Sequence, residues 1–426
     1  MNLNIRRNVN TNVIAFFVNI AITFIGYRMV VQQGGTAALG VWSALSAAIF
    51  IIRLGDVGMG SSAERYVAMV DATKQPFKAR GYLDTALIIN SILFIVLACI
   101  GWIILSSKIE WIIPNNRNLQ FEALNLLPLM LLVFVISNVT NVITSGLRGL
   151  HLAYKVAYLS IFGTFLQMIV VILVVPKFGI VGLAIAQLVQ NLIVGIISWY
   201  IFNRYMRKIE SNINWLPYFF SKTLLSELFT FSIKAQIVNL VNGFFEPASK
   251  FLIGHSAGLS SLGVYEIALK LVQLPRNAIV AGVQSLTPTM TRLLNDDKQH
   301  AKSLYSSSVK KVFWYTLAIL SIVSITSPIT SYLIFNSVKF ELCFMVIILT
   351  FGFLGNVFGA PAYILGFSSG KLRGNIFSVL ISLTVLFLSF YIFRFLDFPY
   401  FEIYAISLSM IAGGISIKVI NEKYLI

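Results

Sequence analysis

Twelve apolar runs recur at nearly even spacing along the 426 residues, each long enough to cross a bilayer, with little chain left between them. A window of about 19 residues places them at 12–32, 38–54, 83–105, 126–147, 156–175, 180–202, 229–253, 264–290, 311–335, 343–367, 373–395 and 400–420. Lipid cannot hydrogen-bond an open backbone, so runs of this length are helices. The period-two alternation of a membrane barrel is absent. With 58% hydrophobic and only 11% charged residues, the chain has too little charge to cover a soluble surface of this size. The predicted class is therefore an all-α integral membrane protein.

Basic residues orient the spans. With the N-terminus inside, the cytoplasmic segments hold Arg6 and Arg7, Lys74, Lys78 and Arg80, and Arg148 and Lys155. Further along they hold Arg204, Arg207, Lys208 and Lys222, a lysine-rich stretch from Arg292 to Lys311, then Lys371, Arg373, Lys418 and Lys423. The opposite segments hold only Lys108, Arg117, Lys177, Lys339 and Arg394. Both termini are thus expected in the cytoplasm. The run from Val13 to Val31 is too long for a signal-peptide core and reads as a retained first helix.

The chain also repeats. At a shift of 223, Gly35, Leu39, Gly40 and Val41 fall on Gly258, Leu262, Gly263 and Val264, and Arg53 falls on Arg276. Far downstream, Pro176, Phe178 and Ile180 fall on Pro399, Phe401 and Ile403 in the same register. The shift covers six spans, an even number, so the two copies share one orientation about an axis along the membrane normal. The expectation is two pseudo-symmetric six-helix lobes, 1–205 and 229–426, joined by a cytoplasmic linker at 206–228, around a central cavity. Trp215, Tyr218, Phe219 and Phe220 of the linker suit the headgroup layer.

Seven cations remain inside or near the spans: Arg28, Arg53, Arg65, Lys234, Lys250, Lys270 and Arg276, with Asp56, Glu64, Glu246 and Glu266 nearby. A charge at the bilayer centre costs about 2.5–3.5 kcal/mol even on insertion scales, so such groups face protein or water. Arg65 and Lys234 sit at span ends, where snorkelling accounts for them. Arg53 and Arg276 lie at equal depth, each roughly 21 Å of helix past Leu39 and Leu262. Three pairs have helical neighbour spacing: Arg53 with Asp56, Glu246 with Lys250, and Glu266 with Lys270. Arg28 and Arg276 have no such partner. The predicted anion-binding set is Arg28, Arg53, Lys250, Lys270 and Arg276, because guanidinium forks match phosphate oxygens. The predicted ion-coupling set is Glu266, Asp56 and Glu246. Pro275 and the run from Gly55 to Gly60 offer flex points or close helix contacts.

Several functions are disfavoured. The net charge of +16 follows from cytoplasmic loops rather than a nucleic-acid surface. Cys99 and Cys343 sit apart in apolar runs, and His151, His255 and His300 are scattered, so neither a disulfide framework nor a metal site is expected. No Gly-rich phosphate loop and no nucleophile–base cluster occurs, so no ATPase, hydrolase or bound cofactor is expected.

The stretch 39–68, with Gly40, Trp42, Gly58, Gly60, Ser61, Ala63, Arg65, Tyr66, Val67 and Ala68, resembles polysaccharide flippases of the multidrug/oligosaccharidyl-lipid/polysaccharide (MOP) exporter superfamily. The second half is similar through Lys250 to Gly254 and Leu262 to Tyr265, on to Pro275. Those families often carry an acid just before the lysine, where Ser249 stands here. The resemblance implies a MATE-like fold without enzymatic activity, in the bacterial inner membrane. It implies an O-antigen translocase moving an undecaprenyl-pyrophosphate-linked oligosaccharide outward by alternating access through a cationic central cavity. The cavity cations would meet the pyrophosphate, and the lipid tail would stay among membrane lipids. With no ATPase motif, the energy is expected from a proton or sodium gradient or from substrate asymmetry. Two rival functions fit the chain less well. A multidrug cation antiporter of the same fold usually keeps an acid in its first lobe, whereas helix 1 here has Arg28 and no acid. A membrane-embedded polysaccharide polymerase needs a long catalytic outer loop, and these loops are short.

Overall fold

The computed structural model describes residues 2–53, 55–56, 58–70, 72–114, 116–229, 243–284, 286–371 and 373–423, with side chains from 22 onward except at 288 and 295. Lys234, most of the predicted 229–253 span and Val57 lie outside the described residues, as do the side chains of Arg6 and Arg7. The described elements are all helical. They are α1 (Asn2–Arg53), α2 (Met59–Met69), α3 (Pro76–Ser107), α4 (Ile109–Ile112), α5 (Arg117–Gly149), α6 (Ala153–Phe178) and α7 (Ile180–Ile209). After the undescribed stretch come α8 (Phe245–Ser256), α9 (Gly258–Gln284), α10 (Thr287–Asp296), α11 (Lys298–Phe335), α12 (Phe340–Phe358), α13 (Ala360–Ser368), α14 (Arg373–Phe395) and α15 (Phe401–Glu422). A short helical stretch at 222–229 precedes that gap. Nine described helical runs, 22 to 38 residues long, are apolar enough to cross a membrane. The chain is a multi-pass membrane protein with an all-α fold. It divides into two compact units, Met1–Ile237 and Val238–Ile426.

In unit 1, α1 is two helices in one line of chain, broken at Gly35 with φ 70° and ψ −176°. This matches the separate spans expected at 12–32 and 38–54. Only glycine takes that backbone cheaply. Helix α5 packs against α2, α3 and α7, and α6 against α1 and α7. Met59, Leu83, Leu147 and Phe202 are fully buried among them. Ile103 and Ile196 point outward, as side chains facing lipid do.

Arg80 is not a loop cation, as the sequence had placed it, but a buried residue of α3. It is 1% exposed beside Asp84 at 0%, with Nε 2.7 Å from Oδ1. The same guanidinium donates to the Leu216 carbonyl at 3.2 Å and lies 4.6 Å over the Trp199 ring. Tyr218 N donates to Asp84 Oδ2 at 3.3 Å, and Trp199 Nε1 to the Trp215 carbonyl at 3.0 Å. The chain after α7 is therefore tied down onto α3 and α7 rather than looping freely.

In unit 2, α9 begins at Gly258 with φ 83°. Gly258 is the residue that the 223 shift places on Gly35, so both copies break at the same register on a left-handed glycine. The expected span 264–290 is corrected. The helix starts earlier and stops at Gln284, and α10 follows. Pro288 explains the break, since a proline without an N–H fits the first turn of a new helix but not the interior of an old one. Helix α12 crosses α15 at very close range. A Cβ on Gly352 would stand 2.8 Å from Ser407 Cα, one on Gly355 2.8 Å from Ile411 Cα, and one on Gly414 1.8 Å from the Gly355 carbonyl oxygen. Gly352 and Gly355, one turn apart on α12, and Ser407 and Gly414, two turns apart on α15, let two backbones meet, a contact that needs no hydrophobic drive within lipid.

Candidate functional site

Unit 2 brings four of the predicted residues together. Lys250 on α8 is 5% exposed and Glu266 on α9 is 2% exposed. Lys250 Nζ lies 2.8 Å from Glu246 Oε1 and 2.8 Å from Glu266 Oε2. Lys270 Nζ closes the ring at 3.4 Å from Glu246 Oε1 and 3.8 Å from Glu266 Oε1. Gln273, which the sequence reading passed over, accepts from Lys270 at 3.0 Å and donates to Glu246 Oε2 at 3.0 Å. Two ammonium groups and two carboxylates make the ring neutral, which is what allows it to be buried. Helix spacing within α8 and within α9 foretold two of these pairs. The link across the two helices, Lys250 to Glu266, came only with the fold. Ser249 does not leave Lys250 unpaired, because its acids come from one turn earlier and from the next helix.

Arg276 stands apart from this ring. Its Nη2 donates to Asn356 Oδ1 on α12 at 2.9 Å and its Nη1 to Asn277 Oδ1 at 3.1 Å. Its Nε is buried with no hydrogen-bond partner. Among the described residues no carboxylate comes within ion-pair distance of it. Asn356 was not legible as its partner, being 80 residues away in sequence. Amide oxygens orient a guanidinium without cancelling its charge, so the positive field remains for an incoming anion.

In unit 1, Arg28 and Arg53 are exposed, and neither has a carboxylate within ion-pair distance among the described residues. The expected Arg53–Asp56 pair does not form, because α1 ends at Arg53 and the helical spacing ends with it. Asp56 instead accepts from Gly58 N at 2.8 Å, closing the turn between α1 and α2. Gly58 takes φ 73° there, so the glycine run is a helix break. Glu64 pairs with Arg148 at 2.8 Å, and Arg65 lies 5.9 Å over the Tyr66 ring. Among the described residues no three His, Cys, Asp or Glu side chains gather to hold a metal.

The geometry is thus one neutral ionic ring across α8 and α9, Arg276 on α9, and Arg28 and Arg53 on a helix apolar enough to span a bilayer. The family model for polysaccharide biosynthesis protein matches residues 71–338, more than half of the chain. The chain belongs to that family. No curated protein matches it. Among solved structures, this family member shares its fold with an inward-facing multidrug resistance MATE family transporter of the MOP superfamily, at a TM-score of 0.83 and 15% identity over 95% of this chain and 94% of that one. An outward-facing conformation of a multidrug resistance MATE family transporter of the MOP superfamily aligns at a TM-score of 0.66 and 16% identity, over 98% and 94%. A MOP superfamily transporter from Pyrococcus furiosus, described as having a binding pocket of reverse polarity that suggests a different function, aligns at 0.69 and 16%, over 98% and 95%. At these identities the likeness establishes the MATE-like fold.

Proposed function

We propose that this protein is a flippase that carries undecaprenyl-pyrophosphate-linked O-antigen or polysaccharide repeat units from the cytoplasmic to the periplasmic leaflet of the bacterial inner membrane, by alternating access. The observation that carries the reading is Arg276, a guanidinium held by two amide oxygens and matched by no carboxylate among the described residues. A half-buried cation whose Nε is out of solvent and which has no acid beside it is costly to keep unless an anion visits it. A diphosphate supplies several acceptor oxygens for a bidentate fork. Arg28 and Arg53 offer the same chemistry on unit 1. Lys250 and Lys270 act in this reading through the ring with Glu246 and Glu266. A proton or sodium ion reaching that ring upsets its neutrality and shifts α8 against α9, which makes Glu266 the coupling group. Family membership supports a glycan cargo.

The test is leaflet accessibility of a pyrophosphate-linked oligosaccharide lipid in vesicles reconstituted with the protein. Outward appearance of the glycan, dependent on protein, is the expected result. Export of a cationic dye without any glycan translocation would overturn the reading in favour of a multidrug antiporter.

A further inference from the structure

Unit 2 contains a concavity that none of the ionic-ring residues lines. It has a volume of about 300 Å³ and is lined by Ile253, Ala257 and Ser261, by Glu341 and Met345, and by the run from Phe398 to Ile403. Three chain segments build it: the end of α8 with the start of α9, the start of α12, and the turn into α15. The distribution of Lys and Arg assigns all three to the outer side of the membrane.

Two features distinguish it from an aromatic belt. Glu402 is 6% exposed and lines the cavity, yet among the described residues no hydrogen bond or ion pair reaches its carboxylate. Glu341, half-buried, lines the same space and is likewise unpartnered among the described residues. The carboxylates are thus enclosed by the cavity walls yet open to its interior, where a ligand's donors can reach them. The turn that presents the aromatics is strained as well. Asp397 and Tyr400 hold φ of 50° and 54°, a region that residues other than glycine seldom occupy. Ring contacts hold it in place: Tyr400 tilts against Phe344 at 4.9 Å, and Phe398 with Tyr404 at 5.2 Å and Phe401 with Phe390 at 5.1 Å meet edge to face. The nearest basic side chain in sequence, Lys339, lies 4.4 Å over the Phe335 ring and does not line the cavity.

We propose that this cavity binds a pyranose ring that is uncharged or carries an amine. Carboxylates accept from sugar hydroxyls or an ammonium group, aromatic walls cover the apolar ring face, and the volume is at the small end of ligand pockets. No cation lines it, so uronic acids and phosphates are repelled. The biological sense of the site, a handhold for the emerging glycan, rests on the flippase reading; its chemistry does not.

Saturation-transfer NMR on the full chain in detergent tests it, with methyl glucoside, methyl glucosaminide and methyl glucuronide as probes. Expected is transfer to the first two and little to the glucuronide. Glu402→Gln weakens binding by roughly tenfold, the loss of one charged acceptor, and Ala257→Trp, which fills the space, abolishes it. Arg276→Ala leaves it unchanged. Equal transfer to the glucuronide, or full transfer in a folded Ala257→Trp protein, would overturn the proposal. If Glu402→Gln fails to fold, the Ala257→Trp result decides. Loss of lipid translocation with sugar binding intact would sink the flippase reading alone.

Discussion

Lys250 on α8 and Glu266 on α9 meet at 2.8 Å in a nearly dry setting, and only the left-handed turn at Gly258 lets their two helices bring them together. The contact ties the first two helices of unit 2 and passes through Glu246 and Lys270 to the surface of the ring.

Breaking that contact from one side should be costly. Lys250→Ala leaves Glu246 and Glu266 to share Lys270 alone, and we expect a loss of about 3–5 kcal/mol, read as a drop in thermal midpoint in detergent. Lys250→Met combined with Glu266→Leu should lose less than the single change, because it removes both charges at once. Glu266→Gln should in addition alter the pH or sodium dependence of transport. An unchanged gradient profile would take Glu266 out of the coupling mechanism.

Arg276→Ala should abolish glycan translocation while membrane abundance stays normal. Arg276→Lys should restore it only in part, since an ammonium keeps the charge and loses the fork. Measuring abundance beside outer-leaflet glycan separates this from mere instability. Normal export by the alanine protein would remove Arg276 from the site.

Arg80→Ala should free the chain after α7. It leaves Asp84 buried and uncompensated and removes the donor to Leu216, at an expected cost of about 3–5 kcal/mol. Hydrogen exchange at 211–221 should accelerate ahead of exchange in α3. Protection there equal to the parent protein's would show that the aromatic contacts alone hold the segment.

The glycines should separate into two kinds. Around Gly258 nothing lies within 4 Å of an added Cβ, so Gly258→Val pays for backbone strain alone, about 1–3 kcal/mol, and Gly258→Asn less. At Gly414 the obstacle is the Gly355 carbonyl, and Gly414→Leu should force α12 from α15 whatever its backbone preference. Thermal midpoints of the three variants check the order.

Much of this was readable from the chain alone. The apolar runs determined helices, because lipid permits no other span of that length. The 223-residue shift set Gly35 on Gly258, and the structure shows a helix break with positive φ at both. The expected Arg53–Asp56 pair failed where the helix ended at Arg53, because i,i+3 spacing means nothing beyond the last turn. Tertiary packing decided the rest. It chose which acids neutralise Lys250, gave Arg276 amide oxygens from a helix 80 residues on, and buried Arg80 where charge counting had put it in water. Local periodicity records which face a residue occupies, but charge compensation depends on which helices meet, and that is settled by packing across the whole unit.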